Sequence, residues 1–230
     1  QVAATIPYHE HNADSQRPKL IEKLKHGVNI ALVSDAGTPL ISDPGYKLVR
    51  DCYEAGIAVT TVPGANAVLS ALQLSGLPSD AFYFAGFLPP KAAGRQRALR
   101  VIKSLPATVI VYETANRLSD MLTDIQTVLG NREMAVVREI TKKFEEVKRG
   151  FVADLIAYYE QNGAPKGELV LVIDRARDTL DEWDEAKVAT LIRDLLATKT
   201  VRDTVEAVVA LTGMPKKQIY KQVLEISGGK

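Results

Sequence analysis

Residues 34–45 (SDAGTPLISDPG) hold the residue types best suited to chemistry in this chain. Small residues, two prolines and two glycines follow directly on an apolar run, leaving main-chain N–H and C=O groups open to a ligand that approaches closely. In open α/β folds ligands sit beyond the carboxyl ends of the strands, where such a loop would lie. A nucleotide-like ligand suits it; a tight turn with Pro and Gly chosen for geometry accounts for the same residues. The segment has neither the GxxxxGK[ST] spacing of a phosphate loop nor the GxGxxG that opens a dinucleotide-binding helix. A second small-residue turn, 62–67 (VPGANA), follows the next apolar run and brings a helix N-terminus toward the same pocket.

Proton chemistry points to residues 112–117 (YETANR), at the end of a predicted strand. Glu113 is the carboxylate to test as an acid or base, with Arg117 as its partner or as a phosphate contact. An ordinary i, i+4 pair at a helix start explains both residues as well. His9 and His11 flank Glu10, but a structural zinc site asks for four ligands and the chain has a single cysteine, so no metal is expected. That cysteine, Cys52, repeats at helical spacing with Leu48 and Val49 and reads as a small core residue. His26, ending a polar helix before Gly27, reads as a C-terminal dipole partner. Residues 91–103 (KAAGRQRALRVIK) hold Lys91, Arg95, Arg97, Arg100 and Lys103 with no acid among them. The formal net charge is only +1, so affinity for a polyanion has to come from a patch of this kind and not from a global field. Lys216, Lys217 and Lys221 on the last helix form a second patch. A solvated helix face is the plain alternative for each.

These residues need a scaffold. At 230 residues, 46% hydrophobic and 25% charged, the chain suits a globular protein of two modest domains. It has no apolar run near the roughly 20 residues that span a bilayer and no signal-peptide layout, which points to the cytosol. Short β-branched runs predict strands at 28–33, 57–62, 81–85, 108–112, 133–139 and 168–173, with 144–149 as a hairpin arm. Between them helical periodicity predicts helices at 67–74, 92–104, 117–129 and 152–160, and one capped by Asp43 with Pro44 at its first position, ended by Gly56. Alternation of this sort predicts an α/β fold, mixed because two connections are short. Residues 174–184 (DRARDTLDEWD) read as a linker, and helices at 187–196, 201–211 and 216–226 as a helix-turn-helix or small dimerisation unit.

Together, SDAGTP and VPGANA after successive strands, GFLP at 86–89 and YETANR at 112–117 resemble the tetrapyrrole-methylase-like superfamily. Within it they resemble the ribosomal RNA small-subunit methyltransferase I family, from the YHEHN segment at 8–12 to about residue 173. Family chains carry a further strand, a Gly-Asn loop and a helix before YHEHN, so the resemblance implies an amino-terminally shortened chain. It implies mixed sheets flanked by helices: the rest of a cofactor-binding subdomain at 1–80, a second α/β subdomain at 81–175 and a helical tail at 184–230. S-adenosylmethionine is the implied cofactor. Its implied contacts are Ser34, Asp35, Ala36, Gly37, Thr38 and Pro39, then Pro63, Gly64, Asn66 and Ala67, with Tyr112, Glu139 and Leu169. The implied reaction is 2'-O-methylation of a cytidine in the decoding region of 16S rRNA, by a homodimer acting on the small ribosomal subunit without a metal. In that setting His9 and His11 line the substrate cleft, and Lys91, Arg95, Arg97, Lys216 and Lys217 meet RNA. A tetrapyrrole C-methyltransferase and a non-catalytic nucleic-acid binder reading through residues 183–230 are the rival readings.

Overall fold

The computed structural model describes residues 5–176 and 185–228. Its centre is one five-stranded mixed sheet in the order β1-β2-β5-β3-β4. The strands are β1 (Phe82–Phe87), β2 (Thr108–Thr114), β3 (Glu133–Arg138), β4 (Glu146–Phe151) and β5 (Glu168–Ile173). β1 runs parallel to β2, whereas β5 lies antiparallel to both of its neighbours and β3 and β4 form an antiparallel hairpin. The α/β class and the mixed sheet are as expected from the alternation.

The pleat sorts the side chains onto two faces. Val109, Val111, Met134, Val136, Leu169, Leu171 and Ile173 meet α4 (Ala92–Ile102), α5 (Leu118–Leu129) and α6 (Val152–Asn162) in the larger core. Ile110, Ala135, Val137, Val170 and Val172 meet α3 (Ala67–Ser75) on the other face. Arg149 on β4 fastens the end of α3 by donating to the carbonyls of Ser75, at 3.0 Å, and Leu74. Each buried apolar side chain stabilises such a core by roughly 1.5–3 kcal/mol, so α3 is bound to the sheet by packing as well as by that arginine.

Two expected strands did not form. Residues 28–33 and 57–62 lie outside the sheet, and Val28, Ile30, Val33, Val59 and Val62 are exposed. A β-branched run becomes a strand only when a neighbour supplies ladder hydrogen bonds, and neither run has one among the described residues. The helix expected from Pro44 begins at Tyr46 as α2 (Tyr46–Glu54), with Gly45 at its N-cap. Leu40 and Ser42 have φ of 74° and 60° and Gly45 has 141°, so the chain is not helical there and Asp43 gives no cap. Leu20 of α1 (Ala13–Lys25) packs with Leu48 and Cys52 of α2, and Cys52 is the core residue its spacing suggested. Burial raises its thiol pKa, aided by Asp51.

At the other end, α7 (Glu185–Leu196), α8 (Val201–Thr212) and α9 (Lys216–Ile226) close around Val188, Ile192, Val205, Val208, Ile219 and Val223. Thr200 caps α8 by accepting from the Asp203 N–H at 3.2 Å, and Gly213, at φ 68°, turns the chain toward α9. The expected linker lies outside the described residues from 177 to 184.

Candidate functional site

Because β5 is antiparallel to β2 and β3, the carboxyl ends of β1, β2 and β3 and the amino end of β5 share one edge of the sheet. Glu113 is in register with Leu169, and Leu169 with Arg138. Gly86, Tyr112, Glu139 and Leu169 therefore gather at this edge although they are far apart in sequence.

The two small-residue loops meet each other. Thr38 donates its hydroxyl to the Ala65 carbonyl at 2.8 Å, and the Asn66 amide donates to Thr38 Oγ1 at 3.3 Å. Asn66 also caps α3, its Oδ1 accepting from the Leu69 N–H at 3.1 Å. Ser34 braces the first loop from inside, its hydroxyl lying 3.0 Å from the Ala36 carbonyl and 3.1 Å from that of Gly37. Asp35 and Ala36 are exposed beside it, as are Pro63 and Gly64 in the second loop. A Cβ on Gly86 would stand 3.8 Å from Ser42 Oγ, so the first loop comes down onto the end of β1.

Tyr112 faces the α3 side, edge-on to Phe84 with ring centroids 4.8 Å apart and tilted against Phe87 at 5.4 Å. Burial raises its phenol pKa, and the charges of Asp43 and Glu168 raise it further, which keeps it a proton donor. Glu139 is held by its Oε1, which accepts from the Glu168 N–H at 2.9 Å and from Lys142 Nζ at 3.1 Å. Those bonds, the Glu168 N–H first, lower its carboxyl pKa. Lys142 also reaches Glu168 at 3.1 Å, so this cation stands between two carboxylates.

Glu113 occupies the opposite face. It follows Val109 and Val111 on the alternation, its side chain is fully buried, and it is turned away from Tyr112 toward the α5 side. Oε1 accepts from the Thr114 N–H at 2.8 Å and lies 3.2 Å from Arg117 Nε; Oε2 has no hydrogen-bond partner. Arg117 donates to the Leu88 carbonyl at 2.8 Å. This pair therefore holds the turn after β1, and Glu113 is not presented to the space beside Tyr112.

The basic segment divides in two. Arg95, expected at RNA, is only 3% exposed and bonds Asp124 at 2.5 Å and the Pro90 carbonyl at 3.1 Å. It belongs to the α4–α5 contact, because helical spacing turns it inward beside Leu99. Lys91 and Arg97 are exposed, as are Lys216 and Lys217 on α9. His9 and His11 lie on an exposed turn closed by Asn12, which accepts from the His9 N–H and donates to the Pro7 carbonyl, both at 2.9 Å. No group of three potential metal-ligating side chains occurs among the described residues.

Some features of the site had no sequence signal. Glu139, a non-glycine residue, stands at φ 48°. A Cβ on Gly167, itself at φ 110°, would come within 2.6 Å of the Glu139 carboxylate. Gly167 followed by Glu168-Leu169 was a visible cue to a close approach, but its partner was not.

Two small-residue loops tied together beyond a sheet edge, above a capped helix, are the ligand-accessible feature of this α/β protein. The family model for tetrapyrrole (corrin/porphyrin) methylases matches residues 3–156. The ribosomal RNA small subunit methyltransferase I of Mesorhizobium japonicum is 43% identical over 223 residues, covering 96% of this chain and 75% of its own. The Escherichia coli O157:H7 protein of the same name is 42% identical over 228 residues, with 98% and 79% covered. The uroporphyrin-III C-methyltransferase from Thermus thermophilus, solved with S-adenosyl homocysteine, shares the fold at a TM-score of 0.50 and 17% identity, with 74% of this chain and 76% of that one covered. The chain belongs to the tetrapyrrole methylase family, in its ribosomal RNA small subunit methyltransferase I branch.

Proposed function

We propose that this chain uses S-adenosylmethionine to methylate the ribose 2'-hydroxyl of a cytidine in the decoding region of 16S rRNA, acting in the cytoplasm as a homodimer on the small ribosomal subunit. The observation that carries the reading is the Thr38–Ala65–Asn66 junction at the head of α3, the helix that packs on the same face of the sheet as Tyr112. The relatives' names supply the RNA, and the solved C-methyltransferase, by its bound S-adenosyl homocysteine, supplies the cofactor class.

The residues suit a sulfonium nucleoside. No Lys or Arg stands between Lys25 and Lys47 or between Arg50 and Lys91, so both loops and β1 are free of cationic side chains, while Asp35 and Asp43 are present. When bound, the cofactor supplies an electrophilic methyl group. Ser34, Asp35, Ala36, Gly37, Thr38 and Pro39 would hold it with Pro63, Gly64, Asn66 and Ala67, flanked by Tyr112, Glu139 and Leu169. The chain's contribution is alignment, which supplies up to about 7–11 kcal/mol in favourable cases. Tyr112 remains protonated and can donate a hydrogen bond. Glu113 and Arg117 act by fixing the turn at Leu88.

Exposed Lys91 and Arg97, with Lys216 and Lys217 on the tail and His9 and His11 on their turn, are the RNA contacts in this reading; phosphate contacts of this kind position without reading sequence. The domain division at 1–80, 81–175 and 184–230 belongs to the same proposal. The test is transfer of labelled methyl from S-adenosylmethionine to small-subunit particles lacking the modification, followed by mapping. Label on a cytidine 2'-oxygen in the decoding region supports the reading; transfer only to a tetrapyrrole acceptor overturns it.

A further inference from the structure

The loop between β3 and β4 is strained and tightly held, and it presents an aromatic ring to solvent. Glu139 and Thr141 both adopt left-handed φ, 48° and 64°, which non-glycine residues keep only where the surroundings over-determine them. Here they do. The Glu139 N–H donates to the Glu168 carbonyl at 3.1 Å, the Lys142 N–H to the Glu139 carbonyl at 2.9 Å and the Glu145 N–H to the Lys142 carbonyl at 3.1 Å. Glu145 turns its carboxylate inward onto the Thr141 N–H at 2.7 Å, and Lys142 bridges Glu139 and Glu168. At the foot of the loop, Ile140 packs with the α3-side core that also holds Tyr112.

Phe144 is 61% exposed on this rigid support, and Lys143 Nζ lies 5.6 Å from its ring centroid. Among the described residues, Phe144 is the one large apolar side chain exposed on the loop. A protein interface gathers several apolar residues into its core, whereas a lone ring beside a cation has the form of a stacking platform for a base and its phosphate. The loop's carboxylates Glu139 and Glu145 are turned onto the loop itself, and Lys143 has no ion pair among the described residues.

We propose that Phe144 stacks against an unpaired base of the RNA acceptor while Lys143 meets the adjoining phosphate, so that the 139–145 loop seats the nucleotide at the sheet edge. This rests on the RNA reading above and names a contact within it.

Phe144→Ala, Phe144→Tyr and the unaltered chain are compared in steady-state methyl transfer to unmethylated small-subunit particles. The fluorescence of a single-stranded RNA carrying 2-aminopurine is followed in parallel. The Ala variant is expected to raise KM for the particle about 5- to 150-fold, the range that base–aromatic stacking supports, with kcat and the KM for the methyl donor kept. Phe144→Tyr should stay near the unaltered chain. Probe quenching should occur with Phe and Tyr and vanish with Ala. The ring is exposed, so thermal midpoints should agree across the three. An unchanged particle KM and unchanged quenching in Phe144→Ala overturn the stacking assignment. So does a change of oligomeric mass in sedimentation, which would make Phe144 a subunit contact. If the unaltered chain moves no methyl to RNA yet quenches the probe through Phe144, the methyl-transfer reading fails and the stacking stands.

Discussion

Thr38 and Ala65 are joined by a 2.8 Å hydrogen bond across 27 residues of chain. It links two loops that the sheet does not join, since the runs preceding both of them lie outside it. The same hydroxyl accepts from Asn66, whose other amide atom caps α3, so one threonine couples the first loop to the helix beneath the second.

Thr38→Val keeps the side chain's shape and removes both bonds. A neutral hydrogen bond contributes about 0.5–1.5 kcal/mol, so S-adenosylmethionine binding measured by calorimetry should weaken by about threefold to tenfold. The unfolding midpoint should hardly move, because the bond lies at the surface. A loss of folding without a prior loss of affinity would show that the bond serves the scaffold instead.

Arg95 and Arg97 are two residues apart and should behave as opposites. Arg95→Met leaves Asp124 buried without its cation, a change that costs about 3–5 kcal/mol in comparable cases, and urea unfolding should show it. Arg97→Met should leave stability alone, weaken RNA binding and reduce the slope of log K against log salt by about 0.7 for a single-stranded site. Salt titrations of the two variants separate the roles.

Gly167→Ala forces a Cβ into the Glu139 carboxylate from a backbone at φ 110°. About 1–3 kcal/mol of stability should be lost. Because Glu139 must shift, methyl-donor affinity should fall about tenfold for each 1.4 kcal/mol of that displacement felt at the site. Gly163→Ala, also at positive φ but with nothing within 4 Å of a Cβ, is the control for backbone strain alone.

Tyr159 on α6 gives a pH test. Burial first, then the charges of Glu146 and Tyr158, push its phenol pKa up to about 12 from an ordinary 10.0. A group whose pKa is raised by folding contributes stability that is complete below the unfolded pKa and lost as pH rises through the folded one. Between pH 10 and about 12 the chain should therefore lose roughly 2–3 kcal/mol from this group, and Tyr159→Phe should lose correspondingly less over the same interval. Denaturant midpoints at several alkaline pH values would measure it.

The legible part of the fold was the part where each element carries its own partner information. Residues 169–173 are apolar throughout, as a strand buried on both faces must be, and they fill β5 after Glu168. Residues 28–33 are apolar but for Asn29 and form no strand, because pairing is a property of the neighbour and leaves no mark on the run itself. The loop motifs were legible as open loops from their small residues; their joining through Thr38 was not, since it depends on tertiary approach. The side of the sheet that Glu113 takes was not legible, because it turns on one step of the pleat: Tyr112 beside it faces α3 and Glu113 faces α5. Arg95 was misjudged by helix rotation, which places it beneath the basic surface that Arg97 shares.

The last strand of the sheet in chain order, β5, lies at its middle, between β2 and β3. During synthesis β1 can pair with β2, and β3 with β4, as soon as each pair is complete. The two halves have no common hydrogen-bonded edge until residues 168–173 have left the ribosome. Tyr112 belongs to one half and Glu139 to the other, so a growing chain cannot hold the two at one edge until β5 joins the halves, and the sheet waits on its slow, sequence-distant contacts. The sheet edge that carries Tyr112 and Glu139 is thus completed only once β5 has been made, and a nascent chain stalled before residue 168 should expose two unpaired strand edges to chaperones.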